Sequence, residues 1–259
     1  GSVRASKLDD LGESIEKYKP SILVYEGSRS ELIDEDKIKI IKDFQNQGGI
    51  LLADEITSGF RTKELTFSKR YKIQPDIVVL GKSLGSGYAI SAVGCLTENK
   101  KINLLDSVFA SSTFWTEEIG LKAGYLTIEF FSKNNQKIIN SIEKSTLKIK
   151  KVLKETFIKN GYDIDINNHP TVIYTTIKNK KCKTNLLKSI IISNMLENNF
   201  LFSNNIYPSL SHSTKTINLL EKSLNLSLIK ANDLIKNNDE ATLIDQFGVS
   251  DIGFGRLTK

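Results

Sequence analysis

The 259-residue chain has few of the residues that build metal and disulfide sites. It contains two cysteines, Cys95 and Cys182, and two histidines, His169 and His212. The cysteines lack the close spacing of a metal-binding motif, and their small number is typical of a reducing compartment, which we expect to be the cytoplasm. Two histidines are too few for a histidine-rich metal site. We therefore predict no metal centre.

Long apolar runs are also missing. No stretch approaches the roughly 20 apolar residues that span a membrane, and the first residues, GSVRASKLDDLGE, have no apolar segment of the kind found in signal peptides. We predict no membrane partner. The formal charge is +6, but lysines account for most of it and are spread over predicted helices, with no aromatic and basic cluster. We interpret this charge as a solvated surface and predict no nucleic-acid partner.

Short apolar runs define the first half of the chain. The segments SILVYEG, ILLADE and YKIQPDIVVLG each contain a run of strand length, and AISAVGCLT supplies a fourth. A helical pattern with Ile38, Ile41 and Phe44 on one face lies between the first two, and Gly48 ends it. Nearly continuous apolar strands joined by helices or long crossovers predict a parallel sheet that is covered on both faces.

The second half changes to longer helical patterns. One begins at Thr116, and a second ends at Gly161. A strand (TVIYTTI), a helix (KTNLLKSIIISNMLENN), a short strand (FLFSNN) and a last helix follow. We predict a partial large domain at 1–160, a small C-terminal α+β domain at 161–232 and a tail at 233–259 with no assigned role.

Lys82 stands where an apolar run gives way to a glycine-rich turn, in PDIVVLGKSLGSGYAI. A lysine there can bind phosphate, act in covalent catalysis, or simply end a strand. The phosphate loop G-x-x-x-x-G-K-S requires glycine at position 76, which is Asp76, and G-x-G-x-x-G fails because Ile90 replaces its third glycine. A nucleotide-binding, ATPase-like domain is therefore the weaker alternative.

Asp54 and Lys82 follow two different predicted strands. In a parallel sheet, the residues just beyond the carboxyl ends of the strands meet at one crevice, where ligands bind. A lysine there can form a Schiff base, and an aspartate can keep a pyridinium nitrogen protonated. Either residue alone is more often structural, but a glycine-rich turn beside them lets the backbone approach a planar cofactor closely.

Three segments, GGILLADEITSGFR, PDIVVLGKSLGSGYAISAVG and SSTFWTEEIGLKAG, occur in this order. Together they resemble the C-terminal half of a class III (subgroup II) aminotransferase dependent on pyridoxal 5'-phosphate (PLP), of the glutamate-1-semialdehyde aminomutase-like branch. The resemblance runs from about Leu8 to about Lys230. It implies an α/β fold, with part of the fold type I large domain, a mainly parallel sheet and a small C-terminal α+β domain, and it implies PLP as the cofactor.

The resemblance also implies roles for single residues. Lys82 matches the lysine that forms the Schiff base with PLP and then moves a proton, and Asp54 matches the acid that pairs with the pyridine nitrogen. Ile56 matches the aliphatic residue packed against the ring. Ser112 and Thr113 match the hydroxyl position that contacts the cofactor phosphate from a neighbouring subunit, which implies a homodimer; on the sequence alone, helix capping is the favoured explanation of both residues.

Four further residues carry less specific signals. Glu26 and Arg29 follow the first strand, where the family has a Glu-Pro pair and this chain has Gly27 instead. Arg29 suits bidentate pairing with a substrate carboxylate, although a surface role is the simpler interpretation. We expect Arg61 to be structural. His212 matches a family histidine and is expected only to fix the final helix.

Half of the implied site has no counterpart in this sequence. Family members are much longer and contribute a first phosphate-binding loop and an aromatic residue stacked on the ring from the region that is missing here. That region could be a separate N-terminal polypeptide or part of a larger one, or it could have been lost, leaving a non-catalytic dimerisation module. The implied reaction moves an amino group from a small-molecule amino donor to an aldehyde or keto acceptor.

Overall fold

The computed structural model describes residues 11–95, 117–178 and 182–249. The chain divides into two compact units, residues 1–139 and 140–259. The domain limits at 160 and 232 remain predictions. Ser112 and Thr113 lie outside the described residues.

The first unit contains a four-stranded sheet in the order β1-β2-β3-β4. Strands β1 to β3 are parallel, whereas β4 is antiparallel to β3. The connection between β3 and β4 contains a 3-10 turn but no α-helix of the kind that usually links parallel strands. The predicted mainly parallel sheet is confirmed. Its elements are, in chain order, α1 (Leu11–Tyr18), β1 (Ile22–Glu26), α2 (Glu35–Asn46), β2 (Ile50–Asp54), α3 (Phe67–Arg70), β3 (Ile77–Leu80), a 3-10 turn (Lys82–Gly85), β4 (Ala92–Cys95) and the start of α4 (Glu118–Lys159).

The two faces of this sheet differ. On one face Tyr25, Leu51 and Ala53 pack with residues of α1 and α2, including Ile41 and Phe44. The opposite face, which we call the open face, carries exposed Ile22, Val24 and Val93, with exposed fractions of 50%, 61% and 59%. The expectation of a sheet covered on both faces is therefore wrong for the described part of this unit, because α1 and α2 both contribute to the cluster on the same face.

The second unit is built on a three-stranded antiparallel sheet in the order β5-β6-β7. Its core combines Ile149, Leu153 and Phe157 of α4 with apolar residues of the helices that follow. Its elements are the rest of α4, β5 (Asp163–Ile166), β6 (Ile173–Lys178), α5 (Thr184–Glu197), β7 (Asn205–Ile206), α6 (Thr214–Asn237) and α7 (Glu240–Phe247).

Two helices differ from the sequence-based expectation. The two helical patterns between Thr116 and Gly161 form one helix, α4, since no proline or glycine interrupts them after Gly124. The tail, which shows no strong period, contains α7. Asp239 caps this helix by accepting the backbone N–H of Thr242, a contact that lowers the pKa of its carboxyl group, and Leu243 is buried in the core. Eight residues are too few to establish a visible helical period.

Tyr162 gives the second unit a pH-dependent stability. The side chain is buried, its hydroxyl donates to Asn232 Oδ1 at 2.8 Å, and burial raises the pKa of Tyr162 to about 12. In the unfolded chain this pKa returns to about 10. The folded state therefore holds its proton more tightly, so the stabilisation is complete below pH ~10 and is lost as the pH rises towards 12.

We predict that Tyr162→Phe removes this loss of stability. Urea denaturation of both proteins at a series of pH values measures it. At pH 8 the free energy of unfolding of the variant is lower by about 1 kcal/mol because the hydrogen bond to Asn232 is gone. Above pH ~10 this difference becomes smaller, because only the wild-type protein loses the contribution of Tyr162. Other tyrosines with raised pKa values are present in both proteins, so their contributions to the pH dependence cancel in the comparison. A gap that is constant with pH would contradict the prediction.

Candidate active site

Asp54 is the last residue of β2 and lies at the carboxyl end of the parallel strands. The strand register places it opposite Glu26 of β1 and Val79 of β3. Because side chains alternate along a strand, Asp54 is on the open face. The backbone N–H of Ile56 donates to Asp54 Oδ1 at 3.1 Å, and within the described residues this is the one hydrogen bond that the carboxylate accepts. Its second oxygen therefore remains available to a donor.

Lys82 lies two residues beyond β3 and opens the 3-10 turn. Its φ is 45°, in the left-handed region that residues with a Cβ rarely adopt. Strained backbone of this kind is concentrated at functional sites. The side chain is exposed, and Nζ donates to Thr57 Oγ1 at 2.6 Å. The adjacent end of β2 thus supplies a contact for the lysine amine.

Ile56 lies beside both of these strand ends. A Cβ placed on Gly81 would lie 3.4 Å from Ile56 Cγ2, so Ile56 packs beside the residue that precedes Lys82. The prediction that the strand ending at Asp54 and the strand before Lys82 have their carboxyl ends at the same edge of the sheet agrees with the register of β2 and β3.

Glu55 faces the opposite way from Asp54 and is fully buried. One oxygen accepts the backbone N–H of Ser68 at 2.8 Å and its hydroxyl at 2.6 Å; the other accepts the backbone N–H of Phe67 at 3.2 Å and the hydroxyl of Ser58. The sequence-based interpretation missed this residue. Two adjacent acids at a strand end were the available signal, since alternation sends one of them towards the core.

Gly27 provides the space for that carboxylate. A Cβ on Gly27 would lie 2.4 Å from Glu55 Oε1, closer than any real contact, so a side chain at this position would displace Glu55. This is the physical reason for glycine where the family resemblance leads one to expect proline.

Glu26 and Arg29 lie close to each other at the end of β1. Arg29 Nη1 is 3.5 Å from Glu26 Oε1, and both side chains are exposed. A pair of this kind contributes little stability, about 0–1 kcal/mol. Glu26 is next to Asp54 in the sheet, so the pair stands beside the candidate site. Its role in substrate binding remains a prediction.

The other residues singled out by sequence have structural contacts. His212 Nδ1 accepts the backbone N–H of Ser209 at 3.0 Å, and the next residue, Ser213, caps α6. Arg61 is half-buried in the loop after β2. Asp76, at the position where a phosphate loop needs glycine, is buried and accepts the backbone N–H of Leu51 at 2.8 Å.

Within the ranges that the structure describes, no group of three histidine, cysteine, aspartate or glutamate side chains is arranged to hold a metal ion. The helices in these same ranges include none with the length and apolar character to cross a membrane.

The fold and the strand ends thus define an α/β protein with an amine and a carboxylate at neighbouring carboxyl ends of a parallel sheet. A family model described as class-III aminotransferase matches residues 32–183, more than half of the chain. The chain belongs to the class-III aminotransferase family. The resemblance inferred from the three sequence segments is confirmed.

Curated relatives share this family. The 3-aminobutyryl-CoA aminotransferase of Cloacimonas acidaminovorans is 28% identical over 165 residues, which cover 61% of this chain and 39% of the relative. The glutamate-1-semialdehyde 2,1-aminomutase of Archaeoglobus fulgidus is 29% identical over 156 residues, covering 57% and 37%. The chain therefore matches well under half of the length of these relatives.

Solved structures show the same fold. The PLP internal aldimine form of the FumI protein of Sphingopyxis sp. MTA144 matches with a TM-score of 0.77 at 14% identity, over 92% of this chain and 59% of that one. The ornithine aminotransferase of Toxoplasma gondii matches with a TM-score of 0.72 at 16% identity, over 91% and 57%. The predicted fold class is confirmed, and both of these structures are of proteins that bind PLP, the cofactor that the sequence predicts.

Proposed function

We propose that this chain provides the lysine and aspartate side of a PLP site in an aminotransferase or aminomutase. The observation that carries the proposal is the pair of strand ends: Asp54 closes β2, and Lys82, in a left-handed conformation, follows the neighbouring strand β3. Because the chain belongs to the class-III family, we assign this aspartate and this lysine to a PLP site.

The residues present fit the cofactor. The Lys82 amine is exposed and makes one reversible contact, with a neutral hydroxyl. The Asp54 carboxylate has one oxygen without a hydrogen bond in the described structure, which suits a protonated ring nitrogen. Ile56 offers an aliphatic surface between them. When bound, PLP supplies an aldehyde that condenses with amines and a ring that takes up the electrons of a deprotonated carbon.

Each side chain then has a defined task. Lys82 would hold the cofactor through Nζ, and when free, Nζ would accept a proton from the substrate carbon and return it at a second position. Asp54 would keep the ring nitrogen protonated, which would stabilise the negative charge that develops on deprotonation. Ile56 would pack against the ring and exclude water from that face.

The proposal extends to the complete enzyme. Ser112 and Thr113 would bind the cofactor phosphate across the interface of a homodimer, and Glu26 and Arg29 would stand near the substrate. The donor is a small amine such as an amino acid, and the acceptor an aldehyde or keto compound. Since the chain spans 39% of one relative and 59% of one solved structure, the rest of the site would come from protein outside this sequence.

Lys82→Ala tests the proposal directly. Purified wild-type chain mixed with PLP should develop the visible absorbance band of PLP bound to a lysine amine, and borohydride reduction followed by peptide mass mapping should locate the label on Lys82. The variant should lose the band. Lys72→Ala is a matched control, because Lys72 is also exposed and also has a positive φ, of 56°, but lies outside the site.

A wild-type chain without the band, or a band that Lys82→Ala leaves unchanged, would contradict the proposed role of this chain. In that case a structural or dimerisation module would be the favoured function. Stabilisation by ATP without a response to PLP would instead support the nucleotide-binding alternative.

A further inference from the structure

We propose that Thr57 is a positioning residue for Lys82, holding the free amine at the end of β2 whenever Lys82 is not bonded to the cofactor. The proposal rests on the proposed function of Lys82. Its basis is the distance of 2.6 Å between Lys82 Nζ and Thr57 Oγ1, which joins residues 25 positions apart. Within the described ranges, this hydroxyl is the one hydrogen-bond partner of the exposed amine.

A hydroxyl suits this task better than a carboxylate. Lysine must alternate between the ammonium form and the neutral amine, because only the amine attacks a carbonyl carbon. A hydroxyl accepts a hydrogen bond from the ammonium form and donates one to the amine, so the contact persists in both states. A carboxylate at this position would accept only, and would favour the unreactive ammonium form.

The location of Thr57 makes the contact specific. Thr57 lies in the turn directly after β2, three residues beyond Asp54, while Lys82 follows β3. The β-branched side chain restricts χ1, so the hydroxyl direction varies less than that of serine. Thr57 thereby links the strand end that carries the carboxylate to the strand end that carries the amine.

The step that Thr57 assists is a condensation. The neutral Lys82 amine adds to an aldehyde carbon, a C=N bond forms, and the aldehyde oxygen leaves as water with the two protons of the amine. No oxidant or reductant is required, and Thr57 is unchanged. Its contribution is to restrict the long, flexible Lys82 side chain to conformations near the reactive position.

Thr57→Val and Thr57→Ser test the inference. Valine keeps the shape but removes the hydroxyl, and serine restores it with a freer rotamer. The first readout needs no cofactor: in protein labelled with 13C at lysine Cε, the Lys82 signal is assigned with Lys82→Arg. In Thr57→Val it should move to the position of an exposed lysine such as Lys72, whereas in Thr57→Ser it should stay near its wild-type position.

The second readout is the rate at which PLP labels Lys82 under borohydride trapping. We expect Thr57→Val to slow labelling about threefold to tenfold, the effect of one typical hydrogen bond, and Thr57→Ser to recover most of the rate. If wild type and Thr57→Val label Lys82 equally fast, Thr57 has no positioning role, although the proposed function stands. A wild-type chain that takes up no label contradicts the proposed function, and the NMR shift alone then decides whether Thr57 holds the amine.

Discussion

Glu55→Ala is expected to destabilise the first unit by about 2–6 kcal/mol, the range for leaving two buried N–H groups without an acceptor. The substitution leaves the backbone N–H groups of Phe67 and Ser68 without their acceptor in the protein interior. Each unsatisfied buried group costs about 1–3 kcal/mol. The hydroxyls of Ser58 and Ser68 lose the same acceptor but are able to rotate towards other groups.

Hydrogen exchange followed by mass spectrometry measures this prediction locally. Peptides from β1 and β2 should lose protection in Glu55→Ala, whereas peptides from α5 and α6 in the second unit serve as an internal reference. Glu55→Gln is the matched control. One oxygen keeps its bonds while the new amide faces an N–H donor, so the loss should be smaller than for alanine. Equal protection of β2 from hydrogen exchange in wild type and Glu55→Ala would show that the buried carboxylate does not stabilise this part of the first unit.

Gly27→Ala is expected to cost about 1–3 kcal/mol, the range for adding a methyl group to a filled interior. The new Cβ would lie 2.4 Å from Glu55 Oε1, and that oxygen is held in place by Ser68. Gly27 is not among the glycines with a positive φ, so the expected loss comes from the collision and not from the backbone. Chemical denaturation gives its magnitude.

Two further variants isolate the cause. Gly94→Ala adds the same methyl group at a glycine with no neighbour within 4 Å of its Cβ and should cost little. In a Glu55→Ala background the collision disappears, so Gly27→Ala should cost much less there than in wild type. Additive losses in the double variant would show that the two residues do not interact.

Strand positions were predictable because the signal is local. The apolar runs that became β1, β2 and β3 are short and are bounded by polar or glycine-rich segments, and parallel pairing then places Asp54 and Lys82 at the same end of the sheet. The direction of β4 is linked to the absence of a helix in the connection before it, and sequence runs alone did not show where that strand begins.

Contacts between side chains distant in sequence were not predictable. The burial of Glu55 depends on the loop that brings Ser68 back to the end of β2, and the contact of Lys82 with Thr57 depends on a left-handed backbone at Lys82. Neither hydrophobic periodicity nor a sequence motif predicts these two contacts. The exposure of the open face was not predictable for the same reason. The apolar pattern of β1 indicates that both faces are apolar, but it does not indicate which helices cover them.

The backbone of Lys82 also bears on how this sequence can drift. A residue with a Cβ at φ 45° is less stable than glycine there by about 1–2 kcal/mol. In a population under selection for stability alone, glycine at position 82 would therefore be the favoured substitution, and lysine would be lost. An advantage of the amine would offset this conformational penalty, so use of the Lys82 amine favours lysine at this position and disuse favours glycine.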